Sequence, residues 1–590
     1  MTPSHPDHDR RHSIATEAAV VFGFSATAVA VFLPAWTDPS RVVIGGGGDP
    51  NQTMWFLTWI PWAIMHGHNP LLTTALNAPT GVNLMWNSSA TLLAMLLWPI
   101  TGALGVVTAY NTLVTGGTMV SAYCAYRVGR RFIGGRFAAV CVGLAYGFSP
   151  FLIVQSPGHA KLLWAFMPPL LLLILHDLVV LRRRRPWVLG LALGALFGAQ
   201  LLSFEEGVAL AAIAACTGLV VLSVGQRDQI RMAGSRVMRA APWAAGSFAA
   251  IAGGPLAVQF FGPNRVTGTV PGGDAYVVDL ANLLVPTKAM WLAPAVATGI
   301  SGRFTGNETE NGGYLGVVAI AIIAAVVLAG WHRPLVRWCA FTGAVLLLFS
   351  FGPHVHIGGS STGRISQLPL PWLVIERVPL LGSAYPSRLF IYIDLLAAMA
   401  IGLFVDGAMA RIRSGLHRRA TAGVLAIALT GVGLSFAPLE PVVTAAVTVP
   451  DYFTTPTRGA TTLRADSVVL VAPFTQDGSN DEPMVWQAAA DMRFRMPEGY
   501  FLGLRGKVRA DGPPLSTTSR VMGTIERGAS VSSVNAAERR SMTAEWARWH
   551  VETVIVGPTS NRRGLEQLFR EVLHAPGRAT GGVTTWNLKH

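Results

Sequence analysis

Long apolar runs separated by short basic loops fill the first three quarters of this chain. Eleven of them lie near 17–36, 106–126, 137–154, 162–181, 186–204, 207–225, 241–260, 315–331, 338–352, 389–409 and 420–438. Runs of this kind are read as helices that cross a hydrocarbon core of about 30 Å. A twelfth stretch, Leu92 to Val107, is also apolar but short, and it holds Pro99 and Gly102. We read it as a helix lying along the membrane interface. Counting it as a span would reverse every later loop.

The loops then fall into two classes. One class is short and arginine-rich: Arg127, Arg130, Arg131 and Arg136, then Arg182 to Arg185, then Arg227 to Arg239, then Arg333 and Arg337, then Arg411 to Arg419. The other is longer and poor in positive charge, covering 37–105, 261–314 and 353–388. Cytoplasmic loops carry the excess of Arg and Lys. The pattern therefore predicts a cytoplasmic N-terminus and an extracytoplasmic tail.

From about residue 439 the pattern changes. DSVVLVAPF (466–474) and VETVIVGP (551–558) are Val-rich runs closed by turn signals, which read as buried strands. SNRRGLEQLFREVL (560–573) reads as an amphipathic helix with an Asn cap, and GGVTTWNL (581–588) as a last strand. The predicted organisation is a tail at 1–16, a transmembrane domain at 17–438 with its long first outer loop at 37–105, and an α/β domain at 439–590.

Composition agrees. Of 590 residues, 51% are hydrophobic and only 13% charged, against roughly 25% charged in soluble chains. The net charge of +14 sits in the short loops, so it sets orientation and does not mark a nucleic-acid surface. Cys124, Cys141, Cys216 and Cys339 lie in or beside apolar runs and show no metal spacing.

Candidate chemistry gathers on the predicted outer side. VVIGGGGDPNQTMWFLTWIPWAIMHGHNP (42–70) leads four glycines into Asp49 and Pro50. Asp49 suits a helix cap with Pro50 at the first helical position, and it equally suits a working carboxylate. Trp55, Trp59, Trp62 and His66 share one face of the helix that follows, which predicts a helix at the headgroup level. His159 and Lys161 lie in a loop between spans, and Glu205 and Glu206 in a hairpin within nearly continuous apolar sequence. Charge at membrane depth is costly and points to a site. Arg388 stands at the outer end of a span, either as an anchor or as a phosphate ligand. His354 and His356 alternate as a metal pair could, although an exposed turn is the commoner reason for that spacing. The triplets at Asn87 and Asn307 have the form of glycan acceptors. RFRMPEGYFLGLRG (493–506) offers aromatics and arginines for a glycan or for domain packing.

The order of these parts resembles the GT-C-type polytopic membrane glycosyltransferases, in a bacterial, actinobacterial-like branch. The resemblance rests on DPNQTMWFLTW, NPL, NAPTGVNLMWN, YGFSP, GHAK and PSRLF, and covers roughly 17–400. It implies an α-helical polytopic plasma-membrane protein of about 11 spans with an extracytoplasmic C-terminal α/β domain. It further implies a polyprenyl-phosphate sugar donor and an envelope glycan, lipid or protein acceptor. Asp49 would be the general base of an inverting transfer. Arg388, Lys161 and His159 would bind the donor phosphate. Glu205 and Glu206 would bind acceptor hydroxyls or hold a divalent cation, Mg or Mn, with Asp49. One departure matters: many relatives carry two adjacent acids in the first loop, whereas Asp49 is followed by Pro50. The second acid and any metal stay open. A lipid or glycan transporter, and a non-catalytic assembly protein on the same fold, are the competing readings.

Overall fold

Prolines set several helix starts. Pro186 opens Pro186–Ser203 and Pro334 opens Pro334–Ser350, each inside the first turn, where the missing N–H costs nothing. The computed structural model describes residues 6–87, 90–266, 274–364, 367–378, 381–415, 417–439, 442–455, 459–505 and 508–588. Among them, eight helices are long and apolar enough to cross a membrane: Ile14–Val31, Arg136–Gln155, Ala160–Leu181, Pro186–Ser203, Glu206–Gly225, Arg227–Phe261, Pro386–Arg413 and Arg418–Phe436.

Three of the eleven expected spans differ. Gly316–Gly330 and Pro334–Ser350 are apolar but only 15 and 17 residues long. The expected span at 106–126 lies within the 27-residue helix Val106–Phe132. It is not among the eight, and it buries polar side chains such as Thr118 and Ser121. Ser121 uses its hydroxyl to bond the Leu163 carbonyl at 2.7 Å. At the N-terminus, residues 1–5 of the expected tail fall outside the described residues, and the first helix already runs from Pro6 to Val31.

The chain forms two compact units. The first comprises 1–37, 112–251 and 271–444. Its long, largely buried helix Phe390–Arg413 packs on Arg136–Gly147, Gly316–Gly330, Pro334–Ser350 and Arg418–Phe436. Gly402 permits a close approach to Arg136–Gly147, since a Cβ there would meet Val142 Cγ2 at 2.4 Å.

The second unit comprises 38–111, 252–270 and 445–590. The first long loop therefore folds with the tail, which the expected domain at 439–590 did not include. Its largest sheet among the described residues has four strands: β1 (Val468–Ala472), β2 (Val551–Val556), β3 (Arg578–Thr580) and β4 (Val583–Asn587), in the order β1-β2-β4-β3. β1 and β2 are parallel, and the other pairs are antiparallel. Every residue of β1 is buried, as a strand covered on both faces requires. Helix Arg562–Leu573 carries the Asn561 cap read from sequence, with the side chain accepting from Gly564 N–H.

Helix Gly48–Met65 lies in this unit against Thr91–Leu104 and Glu482–Ala489. Its residues from Pro50 to Leu57 are all buried. The helix expected at the membrane interface is thus packed in protein. Trp55 is fully buried and gives its indole N–H to Gln487 Oε1 at 2.6 Å. Gln487 in turn donates to the carbonyls of Ala75 and Phe494. In the 493–506 segment, of which residue 506 lies outside the described residues, Met496 and Glu498 exchange backbone hydrogen bonds with 75–78.

Candidate functional site

In the first unit the structure gathers Arg388, Glu206, Glu310, His159 and Gln155. Tyr385–Pro386 turns the chain into a short 3-10 segment, Pro386–Leu389, which feeds the buried Phe390–Arg413 helix. This leaves Arg388 only 7% exposed. Its guanidinium bonds Glu310 through Nε, at 3.1 Å to Oε1, and through Nη2, and bonds Glu206 through Nη1. It also lies over the Tyr385 ring, 4.5 Å from the centroid, and over Phe204 at 5.4 Å. Arg388 thus has two carboxylate partners among the described residues, where a phosphate was expected of it. It is a buried clamp rather than a snorkelling anchor.

Glu206 takes a further hydrogen bond from Tyr385 N–H at 2.7 Å. Glu310 receives Ser387 Oγ and Gln155 Nε2, each at 3.3 Å. His159 Nδ1 bonds Gln155 Oε1 and stands 3.5 Å from Glu310 Oε1. Burial pushes the Glu310 carboxyl up, but Arg388 and then His159 outweigh it and hold it below the usual carboxylate range. Glu310 was not singled out in the sequence. Its only signal was an acid in NETENGGYLG just before an apolar run.

Lys161 is buried in the short 3-10 segment Ala160–Leu163. With Arg388 and Gln200 it lines a small pocket whose walls include Pro168 and Tyr392. The same Pro168 and Tyr392 line an apolar crevice of about 280 Å³ between the helices around Leu172, Leu219, Trp338 and Leu395. The Lys161 pocket therefore shares walls with the apolar crevice. Glu205 is half-buried beside Glu206, and its side chain does not cap the helix it precedes.

The second unit holds Asp49. The Gly48–Met65 helix starts one residue before Asp49, with Gly47 at the cap position and no side-chain cap bond. Asp49 therefore sits in the first turn and is not the N-cap. Its Oδ1 accepts the Tyr500 hydroxyl at 2.9 Å. Gln52 Nε2 holds the Tyr500 carbonyl at 2.9 Å. Burial, with Asp49's charge, pushes the Tyr500 hydroxyl well above its ordinary value, so it remains a donor. Asn51 Nδ2 donates to Asp481 Oδ1 at 3.0 Å, and Asp481 Oδ2 is buried without a partner among the described residues. Burial pushes the Asp481 carboxyl up to about 7, while the Asn51 hydrogen bond pulls it down. Tyr500 and Asp481 were missed in the sequence, where they lie more than 400 residues from their partners.

Other sequence candidates resolve as ordinary structure. His356 is buried and stands 3.2 Å from Asp274, which His354 also approaches at 3.5 Å. Asn87 is buried and its Oδ1 accepts Leu502 N–H, so it does not present a glycan acceptor. Among the described residues no three His, Cys, Asp or Glu side chains group as a metal site.

The family described as "Domain of unknown function (DUF6311)" matches residues 21–435. No curated protein matches the sequence. Among solved structures, the chain is similar to the archaeal oligosaccharyltransferase AglB from Archaeoglobus fulgidus, in complex with an inhibitory peptide and a dolichol-phosphate. That match has 11% identity and a TM-score of 0.45, and covers 92% of this chain and 69% of the other. It is also similar to the arabinofuranosyltransferase AftD from Mycobacteria, with 14% identity and a TM-score of 0.49, over 91% of this chain and 36% of that one. The chain thus spans about a third of the length of AftD.

Proposed function

We propose, given that the chain belongs to the DUF6311 family, that it is a membrane glycosyltransferase that takes its sugar from a polyprenyl-phosphate donor. The observation that carries this reading is the Lys161 pocket adjoining the apolar crevice through Pro168 and Tyr392. A phosphate headed by a long isoprenoid needs a cation beside a dry channel. The order of sequence motifs supports the same class.

In this reading the acceptor is an extracytoplasmic envelope glycan, lipid or protein. Asp49 takes the proton from its attacking hydroxyl. Tyr500 fixes the orientation of that carboxylate through its hydroxyl, and the Asn51–Asp481 hydrogen bond braces the helix two residues on. The hydroxyl oxygen attacks the anomeric carbon as the bond to the lipid phosphate breaks, with inversion. The negative charge on the departing phosphate is met by Lys161. Arg388 contributes less charge there, because Glu206 and Glu310 already balance it, and it serves to hold the pocket wall.

Donor binding tests this directly. The protein in lipid nanodiscs would be offered polyprenyl-phosphate mannose, arabinose and glucose, and retention read by native mass spectrometry. One donor should be retained, and both Lys161→Ala and the crevice-filling Ala215→Trp should release it. Retention of no donor by a folded protein, or retention that ignores both changes, rejects the reading.

A further inference from the structure

The apolar crevice runs further than the Lys161 pocket requires. Its lining extends from Pro168 to Val180 along one stretch of chain, from Ala214 to Gln226 along a second and from Pro334 to Leu346 along a third. Each stretch is about 18 Å long at the helical rise, more than half of a hydrocarbon core of about 30 Å. Pro168 stands at the Lys161 end. The opposite end is built from helix termini that border the arginine-rich loops. Phe132 closes Val106–Phe132, Gln226 follows Glu206–Gly225, and Pro334 opens Pro334–Ser350. The charge of those loops marks this end as cytoplasmic.

Polar groups gather at this end. The His176 ring lines the crevice beside Phe132, with 4.6 Å between centroids, and its Nδ1 is buried without a partner among the described residues. His176 also begins a π-helical turn, His176–Leu181, a rare geometry found frequently at functional sites. Arg182 ends that turn in the left-handed region, with φ 56°, and donates Nη2 to Gln229 Oε1 of helix Arg227–Phe261 at 3.1 Å. Asp177 is shared by Arg131 and Arg184. Arg182, Arg183 and Arg185 pair with no acid among the described residues, so positive charge is in excess around the mouth. Setting the orientation of the chain accounts for the arginines. It does not account for the orphan ring nitrogen or for the apolar slot behind it.

These features specify a ligand class. An apolar slot, parallel to the helices and open at a basic mouth, suits a lipid with an anionic head. Basic pockets between helices on the cytoplasmic side hold such headgroups. The phosphate meets the arginines. His176 Nδ1 gives or accepts one further hydrogen bond according to its tautomer. An acyl chain then runs up the slot toward Pro168, into the space that the chain of a lipid donor would enter from the Lys161 end.

We propose that the cytoplasmic end of the crevice binds an anionic phospholipid of the inner leaflet, whose acyl chain competes with the lipid donor for the same slot. The competition rests on the proposed glycosyltransferase function, whereas phospholipid binding itself does not. The test is a titration of the full chain in detergent micelles with phosphatidylglycerol or phosphatidylcholine of identical acyl chains, read by native mass spectrometry. Phosphatidylglycerol should be retained about tenfold or more tightly. The double change Arg183→Gln and Arg185→Gln, at two exposed side chains, keeps the fold and should abolish most of that preference. His176→Phe, which keeps a ring and removes the nitrogen, and Leu222→Trp, which fills the cytoplasmic half of the slot, should each weaken retention by about tenfold. Lys161→Ala should leave it unchanged, because that pocket lies at the other end. No preference for phosphatidylglycerol, or retention indifferent to the arginine, His176 and Leu222 changes, overturns the site. Loss of retention in Lys161→Ala overturns it too, as does displacement by glycerol phosphate alone, which would assign the mouth to a soluble anion. Phosphatidylglycerol retained together with donor keeps the site and removes the competition. Phosphatidylglycerol retained by a protein that holds no donor keeps the site and loses the glycosyltransferase reading. Donor retained with no phosphatidylglycerol binding removes the site alone.

Discussion

Arg388 shows how one residue's partners redefine its role. A lone arginine at the end of an apolar run invites a phosphate, but the fold gives it Glu206 and Glu310. Arg388→Ala would leave two buried carboxylates without their cation. Breaking a buried pair in this way costs about 3–5 kcal/mol, so thermal unfolding in detergent should fall steeply. Arg388→Lys should rescue little, because an ammonium cannot reproduce the forked geometry. A variant as stable as the wild type would show that the clamp carries no weight. Asp481 gives a pH-dependent counterpart. Its carboxyl is raised from 3.8 to about 7, so the folded state holds the proton more tightly than the unfolded chain. The associated stability is full below about pH 4, declines as pH rises toward 7, and is gone above that. Asp481→Asn removes this dependence. Its melting temperature relative to wild type should therefore climb between pH 4 and 7 and level off beyond. A difference that stays flat across that window would contradict the assignment.

Among the elements, the glycine run before Asp49 works as backbone geometry. Gly47 has φ 67° and ψ 177°, a region open essentially to glycine alone. A Cβ there would meet nothing within 4 Å, so sterics with neighbours are not the issue. Gly47→Ala should cost about 1–3 kcal/mol through the backbone alone and should disturb the Asp49–Tyr500 hydrogen bond. Urea unfolding of the variant checks the first part, and wild-type stability would refute it. The Trp stripe was legible as a single face, and the stacked rings confirm the spacing. Its surroundings were not legible, because an indole suits a headgroup layer and a protein core equally well. Here Gln487 supplies the buried acceptor that Trp55 needs. Tyr500→Phe acts at this level too, since it cuts the tie between the tail and the start of the helix. It should lower transfer by about tenfold or more while leaving the fold intact, the effect of losing one orienting hydrogen bond to a charged group. Unchanged turnover would remove Tyr500 from the site.

Across the molecule as a whole, apolar length and apolar runs revealed most helices and three of the four strands of the sheet, because burial writes itself into local pattern; the exposed strand Arg578–Thr580 left no such mark. Long-range closure leaves no such mark. Nothing near residue 50 announces that the first loop folds with a tail that begins near 445. The same blindness hid Glu310, an acid in a turn whose meaning depends on Arg388 78 residues later. His159, Lys161, Glu206 and Arg388 were found individually, since charge in apolar sequence stands out, and the fold places them in one unit. Catalysis by Asp49 stands at the centre of the proposed function, and sugar transfer measures it without intermediary. Wild-type protein and Asp49→Asn, in nanodiscs, would receive the polyprenyl-phosphate sugar that binds, together with a glycan acceptor. The wild type should transfer the sugar, and the variant should lose at least about a hundredfold in rate, as for a missing general base. Equal transfer by the two proteins would rule out Asp49 as the base.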